Sequence, residues 1–415
     1  MYDLIVVGAG PAGMMAAGRA ASLGVKTLIC EKNSKPGRKL AITGKGRCNI
    51  TNNCDIKTCI ENVTSNGSFL YSALNNFSPE NTIDFFEGEG LRLKTERGNR
   101  VFPLSDKAGD VVNTLISFVE NSKAEIKQFN VKQLLIKDGC VFGVKDENGN
   151  EIYSKNVLVA CGGKSYPKTG STGDGYRLAK QAGHTIISPV PSLVPIISED
   201  EFCFQLQGLT LKNTGLKVIT KRDNKTIYTD FGEMLFTHFG ISGPMVLSAS
   251  AHIDDPKDNK YEISLDLKPA LDKEKLDARI LRDLTKYINK DIGNSLFELL
   301  PKSIIPVVLK KAEISPDEKC NSITKKQRMK LGEVIKNFKI SVNGFRPIEE
   351  AIITKGGVNT KEITPKTMES KLCKGLYFAG EVIDVDAYTG GFNLQIAFST
   401  GALAAESIAA DIFFE

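Results

Sequence analysis

At 415 residues, 41% hydrophobic and 25% charged, the chain is longer than one hydrophobic core usually serves and has the balance of a soluble globular protein, so two or three domains are expected. The formal net charge of +5 is modest for this length; it argues weakly for anionic ligands and does not by itself imply nucleic acid. Nine scattered cysteines without paired-CxxC spacing favour a reduced cytosol over a disulfide framework, and three histidines leave little room for a histidine-built metal site, so no metal is expected.

The start, MYDLIVVGAG, lacks a basic n-region and a small-residue cleavage site, so a cytoplasmic protein without export is expected. No apolar run approaches the roughly 18 residues of a membrane span, and no membrane association is expected. Residues 3–7, DLIVV, read as a buried parallel strand. Gly8, Gly10, Pro11, Ala12 and Gly13 follow, then a segment of small residues suited to a helix packed closely on a sheet. Gly24 ends it, and VKTLICEKN makes a second strand closing on Glu31. This βαβ unit carries the GxGxxG dinucleotide fingerprint in the context that confirms it. The helix N-terminus faces the pyrophosphate. Glu31 accepts from an adenosine ribose hydroxyl, and its carboxylate disfavours a 2′-phosphate at this site.

The next stretch, GRKLAITGKGRCNITN (residues 37–52), has glycines, four cations and two asparagines but little that builds a core. A nicotinamide dehydrogenase would continue into a plain helix here. The loop instead suits a longer cofactor whose second half is held as the chain passes it. Gly44 and Gly46 let backbone lie against a flat ring. Arg38, Lys39 and Arg47 are candidates for phosphate and ring-edge contacts. Lys32, beside Glu31, and Thr43, Cys48 and Asn49 in the loop complete this set. For Cys48, a redox or tethering role is weighed against that of a small buried residue, which is favoured.

Residues 68–120 contain helical patterns. A three-stranded meander from Val131 follows, with turns at Asp138-Gly139 and Asn148-Gly149. It ends at Gly162 and Gly163, where the chain returns to the sheet. No second GxGxxG appears, so no dedicated fold for a nicotinamide coenzyme is expected. Asp174 is a candidate cap for a helix beginning near Tyr176, or a direct contact to the cofactor. From Pro189 short alternating runs predict a β-rich insert. From about 270 to 338 the pattern is helical and basic, with 16 Lys/Arg against 10 Asp/Glu in 271–339, its densest run being Lys325 to Lys330. A solvated helix face is the favoured reading of that run. The last third returns to α/β: a buried strand (376–379), the Gly380-Glu381 turn, and a long small-residue helix starting near Asn393 behind Gly390 and Gly391. Its free amides point at whatever lies across the sheet edge.

Two distant segments thus converge on one cofactor. The N-terminal unit holds ADP, Glu381 binds a polyol chain, and the positive helix end at Asn393, Leu394 and Gln395 sits at an electron-accepting ring. This architecture fits FAD. GAGPAG, GRKLAITGKGRCNITN, ACGGKSYPKTGSTGDGY, PSLVPI, LFTHFGISGP, KGGV and GLYFAGEVIDVDAYTGGFNLQIAFSTG resemble, in order and over nearly the whole chain, a family of bacterial flavoproteins that includes aminoacetone oxidase-like enzymes and reductases of unsaturated 3-oxo bile acids. The resemblance implies a fold class of α/β type: a Rossmann-like, glutathione-reductase-type FAD domain with an inserted β-barrel-like domain and a small helical one. The expected boundaries are 1–188 and 351–415 for the FAD domain, 189–268 with 339–350 for the β-rich substrate domain, and 269–338 for the helical subdomain. It further implies cofactor contacts at Gly162, Gly163, Gly380, Glu381, Asp384, Gly391, Phe392, Asn393, Leu394 and Gln395, with Val131 meeting adenine through its backbone.

His238, in the insert, is a candidate proton donor or acceptor, or a structural histidine. Tyr388 is a candidate acidic hydroxyl over the ring, or an aromatic wall. The leading expectation is an FAD-dependent oxidoreductase that reduces an activated C=C bond of a small molecule, with NAD(P)H as a transient donor. A flavin oxidase of a small amine is the rival enzyme. An RNA-binding or RNA-modifying flavoprotein stands third, because the basic run lacks interleaved aromatics; nucleic acid is not the expected partner.

Overall fold

The computed structural model describes residues 1–258 and 260–414. The chain forms two compact units, Met1–Ser192 with Pro347–Glu415, and Leu193–Arg346.

The first unit is built on a seven-stranded sheet. The strands Glu125–Gln128, Thr27–Glu31, Tyr2–Val7, Glu151–Val159 and Leu376–Phe378 lie side by side and parallel. The inner strands carry apolar runs because both faces are covered, with Leu4, Ile5, Val6, Leu28, Ile29, Val157 and Leu158 all essentially inaccessible, whereas the edge strand Glu125–Gln128 is polar and largely exposed. Glu151–Val159 serves two ladders. Its first residues pair antiparallel with Cys140–Asp146, which pairs in turn with Val131–Lys137. The predicted meander therefore forms. The hairpin turn at Asp138 (φ 51°) and Gly139 (φ 76°) has both central residues left-handed, as a two-residue loop of this twist requires.

The helix Pro11–Ser22 buries a face of Ala, Gly and Met. It packs on the C-terminal helix Phe392–Phe414, and a Cβ on Gly401 would lie 2.5 Å from the Ala12 carbonyl oxygen. The small residues read from the sequence are what permit this approach. The C-terminal helix is long and apolar enough to span a membrane by length and composition, but 67% of its most apolar window is buried within the protein. Phe398, Ala402, Ala405 and Ile408 sit in the core of the unit, so its apolarity is accounted for by packing.

The second unit carries an antiparallel sheet running from Phe338–Ser341 at one edge, through Tyr261–Asp266, Thr210–Thr220, Lys225–Thr237, Gly240–Ser242 and Ile196–Ile197, to Gly344–Phe345 at the other. Laid flat, its edges would be about 29 Å apart, six gaps of roughly 4.8 Å. Ser341 and Gly344 are three Cα steps apart, at most about 11 Å. The sheet must therefore curl on itself. Val342 N donates to Tyr261 O and the adjacent Asn343 N donates to Ile197 O, which closes the barrel-like form that the resemblance implied.

Three boundaries differ from expectation. Pro189 and Pro191 lie in the strand Ile186–Ser192, which pairs with Ile353–Val358 inside the first unit; the second unit begins at Leu193. The basic helices Lys273–Lys286, Ile305–Lys311 and Lys325–Lys336 share one apolar core with the barrel strands: Leu276, Ile280, Leu331 and Ile335 pack in the same cluster as Ile263, Leu265 and Phe338. Asp174 does not cap a helix from outside; it is the first residue of Asp174–Gln181, with Gly173 at the N-cap.

Candidate dinucleotide site

The glycine turn after the first strand is closed to any side chain at two points. Gly8 has φ +105°, and a Cβ there would sit 2.9 Å from Ala160 O; a Cβ on Gly13 would sit 2.0 Å from Gly8 O. Gly10 is the N-cap and Pro11 takes the first helical position, where its missing N–H costs nothing. The amides of Ala12 and Gly13 have no partner within the helix, at its positive end. Glu31, 8% exposed, is fixed under this turn: its Oε2 accepts from Ala9 N at 2.7 Å, and its Oε1 accepts from the backbone and side-chain nitrogens of Asn33 at 2.8 and 2.7 Å. Phe129 N donates to Glu31 O at 2.8 Å, which brings the buried Val131 two residues on from that contact.

A second cluster forms around Glu381. Lys39 Nζ meets its Oε2 at 2.5 Å and donates to Ser165 Oγ at 2.7 Å. Glu381 Oε1 accepts from Ser165 Oγ at 2.8 Å and from Thr354 N at 3.0 Å. Thr354 Oγ1 in turn accepts from the amides of Lys164 and Ser165. A Cβ on Gly163 would lie 2.4 Å from Thr354 Oγ1. Gly162 is left-handed (φ 72°), so the turn before this cluster also favours glycine.

The loop of residues 37–52 holds its shape through its own chain. Gly44, exposed, and Gly46, half-buried, are left-handed, and so, without glycine's freedom, are Lys45 (φ 57°) and, buried, Cys48 (φ 60°). Two such residues within four positions persist only where the surroundings fix them. Thr43 Oγ1 donates to Leu40 O. Burial pushes the Cys48 thiol up to about 12, against a smaller opposing hydrogen bond with Thr43. A thiol held protonated is a poor nucleophile, so the role of a small buried residue holds for Cys48. Beside it, Asn49 Oδ1 is buried with no hydrogen-bond partner.

The loop ends against the C-terminal helix. Gly391 has φ +101°, and its Cβ would lie 2.3 Å from Thr51 C. Thr51 Oγ1 donates to Gln395 Oε1 at 2.6 Å, and Asn52 Nδ2 to Gly390 O at 3.1 Å. Gln395 N donates to Gly391 O, which leaves the amides of Phe392, Asn393 and Leu394 without partners in the helix.

Several expected ligands have other duties. Arg47 is held by Glu96 at 2.5 Å and Asp106 at 2.6 Å and lies over the Phe102 ring; it braces the loop. Gln395 is fully buried, and its side chain is saturated by Thr51, Thr82, Phe77 O and Ser399, so it pins the helix and its amide is used internally. Asn393 bonds Ala387 and Tyr388 backbone. Arg38 donates to Asn33 Oδ1. Lys32 pairs with Asp174 at 2.7 Å; burial alone would raise that carboxyl, but Lys32, Thr172 and Arg177 bring it down to about 2. Burial raises the Asp384 carboxyl, opposed by the hydrogen bond from Asn66 and reinforced by Asp386. Asp386 is fully buried, with Oδ2 on Ser192 and Oδ1 unpartnered. Tyr388 is half-buried against the core of the first unit. His238 is exposed on the turn between Lys225–Thr237 and Gly240–Ser242, edge-on to Phe239 at 5.0 Å; it belongs to the second unit. Ser165, Thr354 and Thr51 were not singled out from sequence. They lie inside the quoted segments or beside them, but no spacing rule marks them.

These residues fit FAD. Two helix N-termini, a ribose-ready carboxylate and glycine-lined backbone suit an anionic dinucleotide, and the orphaned Asn49 oxygen asks for an N–H such as a flavin ring carries. Residues 2–407 match the family described as HI0933-like protein Rossmann domain. The chain is 33% identical over 97% of its length to a ribosomal RNA dihydrouridine synthase of Haemophilus influenzae, covering 98% of that protein. It is 30% identical over 99% of its length to a 3-dehydro-bile acid delta(4,6)-reductase of Clostridium scindens, covering 99% of it. The structure of a 3-ketosteroid-delta4-(5alpha)-dehydrogenase from Rhodococcus jostii aligns with TM-score 0.53 at 15% identity, over 98% of this chain and 96% of that one; at that identity it speaks for the fold. The chain is therefore a member of the HI0933-like Rossmann family and an FAD-dependent oxidoreductase.

Proposed function

We propose that this protein reduces a C=C bond conjugated to a carbonyl, and that its substrate is uridine within ribosomal RNA. The observation that carries the reading is the agreement of two full-length relatives whose names specify different substrates. Dihydrouridine arises by saturating the uracil C5=C6 bond, which is conjugated to C4=O. A 3-dehydro-Δ4,6 bile acid presents a diene conjugated to its 3-oxo group. Both are electron-poor alkenes that accept hydride at the carbon β to a carbonyl. Bound FAD supplies the hydride chemistry. The amides of Ala12 and Gly13 would hold its phosphates and Glu381 its polyol, and the positive end of the Phe392 helix would favour negative charge on its ring.

RNA ranked low on sequence alone. The relative with that substrate and the exposed cations of the helical segment, Lys325 and Lys326 among them, raise it. A small steroid-like enone is the second reading, supported by the bile-acid relative and by the internal pairing of Arg328 with Asp277 and of Lys330 with Glu313, which leaves fewer cations for RNA. NADH or NADPH is the proposed donor, docking transiently. The nine cysteines are all unpaired thiols, which accords with a cytoplasmic location.

The test is anaerobic. Purified holoprotein is mixed with NADH or NADPH, then with unmodified ribosomal RNA transcript or with a 3-oxo-4,6-diene steroid. Dihydrouridine or saturated steroid is read by mass spectrometry. Dihydrouridine in the transcript supports the first reading and saturated steroid alone the second. Bleached flavin that neither acceptor reoxidises, with peroxide on admitting air, would sink both in favour of an oxidase.

A further inference from the structure

The helix Lys273–Lys286 runs out into a surface that the reading so far leaves unused. Tyr287 closes that helix, with the ammonium groups of Lys286 and Lys290 at 5.2 and 4.6 Å from its ring centroid. Phe297 lies beside it, ring centroids 5.4 Å apart and tilted by 48°. Phe297 is 41% exposed, Ile288 48% and Leu281 46%. The Arg282 side chain is 67% exposed. Within residues 279–298 the cations are Arg279, Arg282, Lys286 and Lys290, and the carboxylates Asp283, Asp291 and Glu298. Each carboxylate is already engaged. Asp283 is buried on Arg279, with Arg282 Nε at 3.5 Å from its Oδ1, Asp291 bonds Lys319 at 2.7 Å, and Glu298 takes Lys286 at 2.6 Å and the Tyr287 hydroxyl. Within 279–298 four cations stand against three carboxylates; Lys319 comes from an adjoining segment that also carries Asp317 and Glu318, so the excess of cations is local to Arg282, Lys286 and Lys290 around the two rings.

That combination is what single-stranded nucleic acid requires: cations for the phosphates and flat faces on which bases stack, tolerant of sequence. A protein-binding apolar patch has no need of lysines placed over its tyrosine, and the lysine-rich run at Lys325 has no aromatic within it. We infer that the surface formed by Arg282, Lys286, Tyr287, Lys290 and Phe297 docks a single-stranded segment of the RNA substrate. This inference rests on the RNA reading above and adds to it the place where the RNA is held.

The probe is a fluorescein-labelled oligouridylate of about twelve residues, titrated by anisotropy against the holoprotein from low to moderate salt. Binding by the parent is expected to weaken steeply with salt. Phe297→Ala and Tyr287→Ala are each expected to lower affinity about ten-fold, the lower part of the range for loss of one stacked base. Lys290→Gln is expected to flatten the log–log salt slope by about 0.7, one phosphate contact to a single strand. The urea midpoint of each variant, unchanged from the parent, guards against a folding defect in the second unit, on whose core Tyr287 packs, and Phe297→Leu separates lost stacking from lost packing. A parent that does not bind the oligonucleotide overturns the inference, as do variants that bind like the parent. A parent that forms dihydrouridine in the transcript while the variants keep full affinity removes the surface and leaves the RNA reading standing; a parent that binds through this surface but forms no dihydrouridine does the reverse.

Discussion

The unpartnered oxygen of Asn49 yields a prediction with two opposite signs. A buried acceptor left without a donor carries a penalty of about 1–3 kcal/mol, and Asn49 Oδ1 is buried with no donor from the protein. A bound ring that offers an N–H removes the penalty. The oxidised isoalloxazine has one, at N3. Asn49→Leu keeps the branching and the number of heavy atoms and has no acceptor. In the apoprotein it relieves the penalty, so the thermal midpoint is expected to rise. In the holoprotein it forfeits the contact, so FAD affinity is expected to fall by about 1–3 kcal/mol, roughly 5- to 150-fold. Differential scanning fluorimetry of stripped protein reads the first, and quenching of flavin fluorescence on titration reads the second. A 3-methyl flavin analogue sharpens it: the methyl should weaken binding to the parent and leave Asn49→Leu little changed. If stability and affinity fall together, Asn49 is a structural residue and the reasoning fails.

Other expectations follow from single contacts. Gly391→Ala places a Cβ against immovable Thr51 backbone at 2.3 Å and is expected to destabilise by more than about 3 kcal/mol, whereas Gly46→Ala, also left-handed but with nothing within 4 Å, should lose only about 1–2 kcal/mol; equal urea midpoints for the two would refute the clash argument. His184, its ring buried between Glu362 and Ser370 and edge-on to Phe378, is pushed below its ordinary value by burial, with Glu362 opposing; its contribution is present above the unfolded value of about 6.5 and is lost as pH falls below it. The urea midpoint should therefore drop between pH 7.5 and 5.5 in the parent and less in His184→Gln, and identical slopes would count against it. Cys140 is exposed while Cys30, Cys48, Cys59 and Cys203 are buried with thiols raised to about 12; brief alkylation at pH 8 should mark Cys140 first, and early labelling of Cys48 would contradict its buried role.

What the sequence disclosed was whatever local pattern encodes. The glycine fingerprint, Glu31 and the Asp138-Gly139 turn act over a few residues, where backbone geometry and residue type are tied together. The convergence of the chain's two ends was also legible, because a phosphate-binding turn at one and the Glu381 turn and helix start at the other each call for part of one cofactor; Gly391 against Thr51 is where they meet. The Lys39–Glu381–Ser165–Thr354 cluster was not, since its members lie up to 342 residues apart in sequence and obey no period. Arg47 misled for a related reason. A cation in a glycine loop suggests phosphate, but Glu96 and Asp106 come from another hairpin and its flank, and nothing in the loop announces them. The prolines at 189 and 191 suggested a boundary because proline is poorly suited to a central strand; the strand that holds them pairs on one side, with Ile353–Val358, in a two-stranded sheet, where proline is tolerated.

The packing of the two long helices sets a distance that links fold to cofactor. Ala12, in the first turn of the Pro11 helix, touches Gly401, nine residues beyond the start of the C-terminal helix at Phe392. At 1.5 Å per residue that places the two positive helix ends about 14 Å apart. Gly380 bridges the interval: its Cβ position would lie 2.9 Å from Ala12 Cβ and 3.9 Å from Ala397 Cβ, so the Glu381 turn stands between them. A chain of three anchors results, with amides for a pyrophosphate, a carboxylate for hydroxyls, and amides again for a group that gains electrons. A cofactor bearing phosphates, a polyol and an electron-accepting ring in that order matches them. A larger residue at Gly401 would part the helices and separate the anchors without touching any of them, so the small residues along both helices act as part of the binding site.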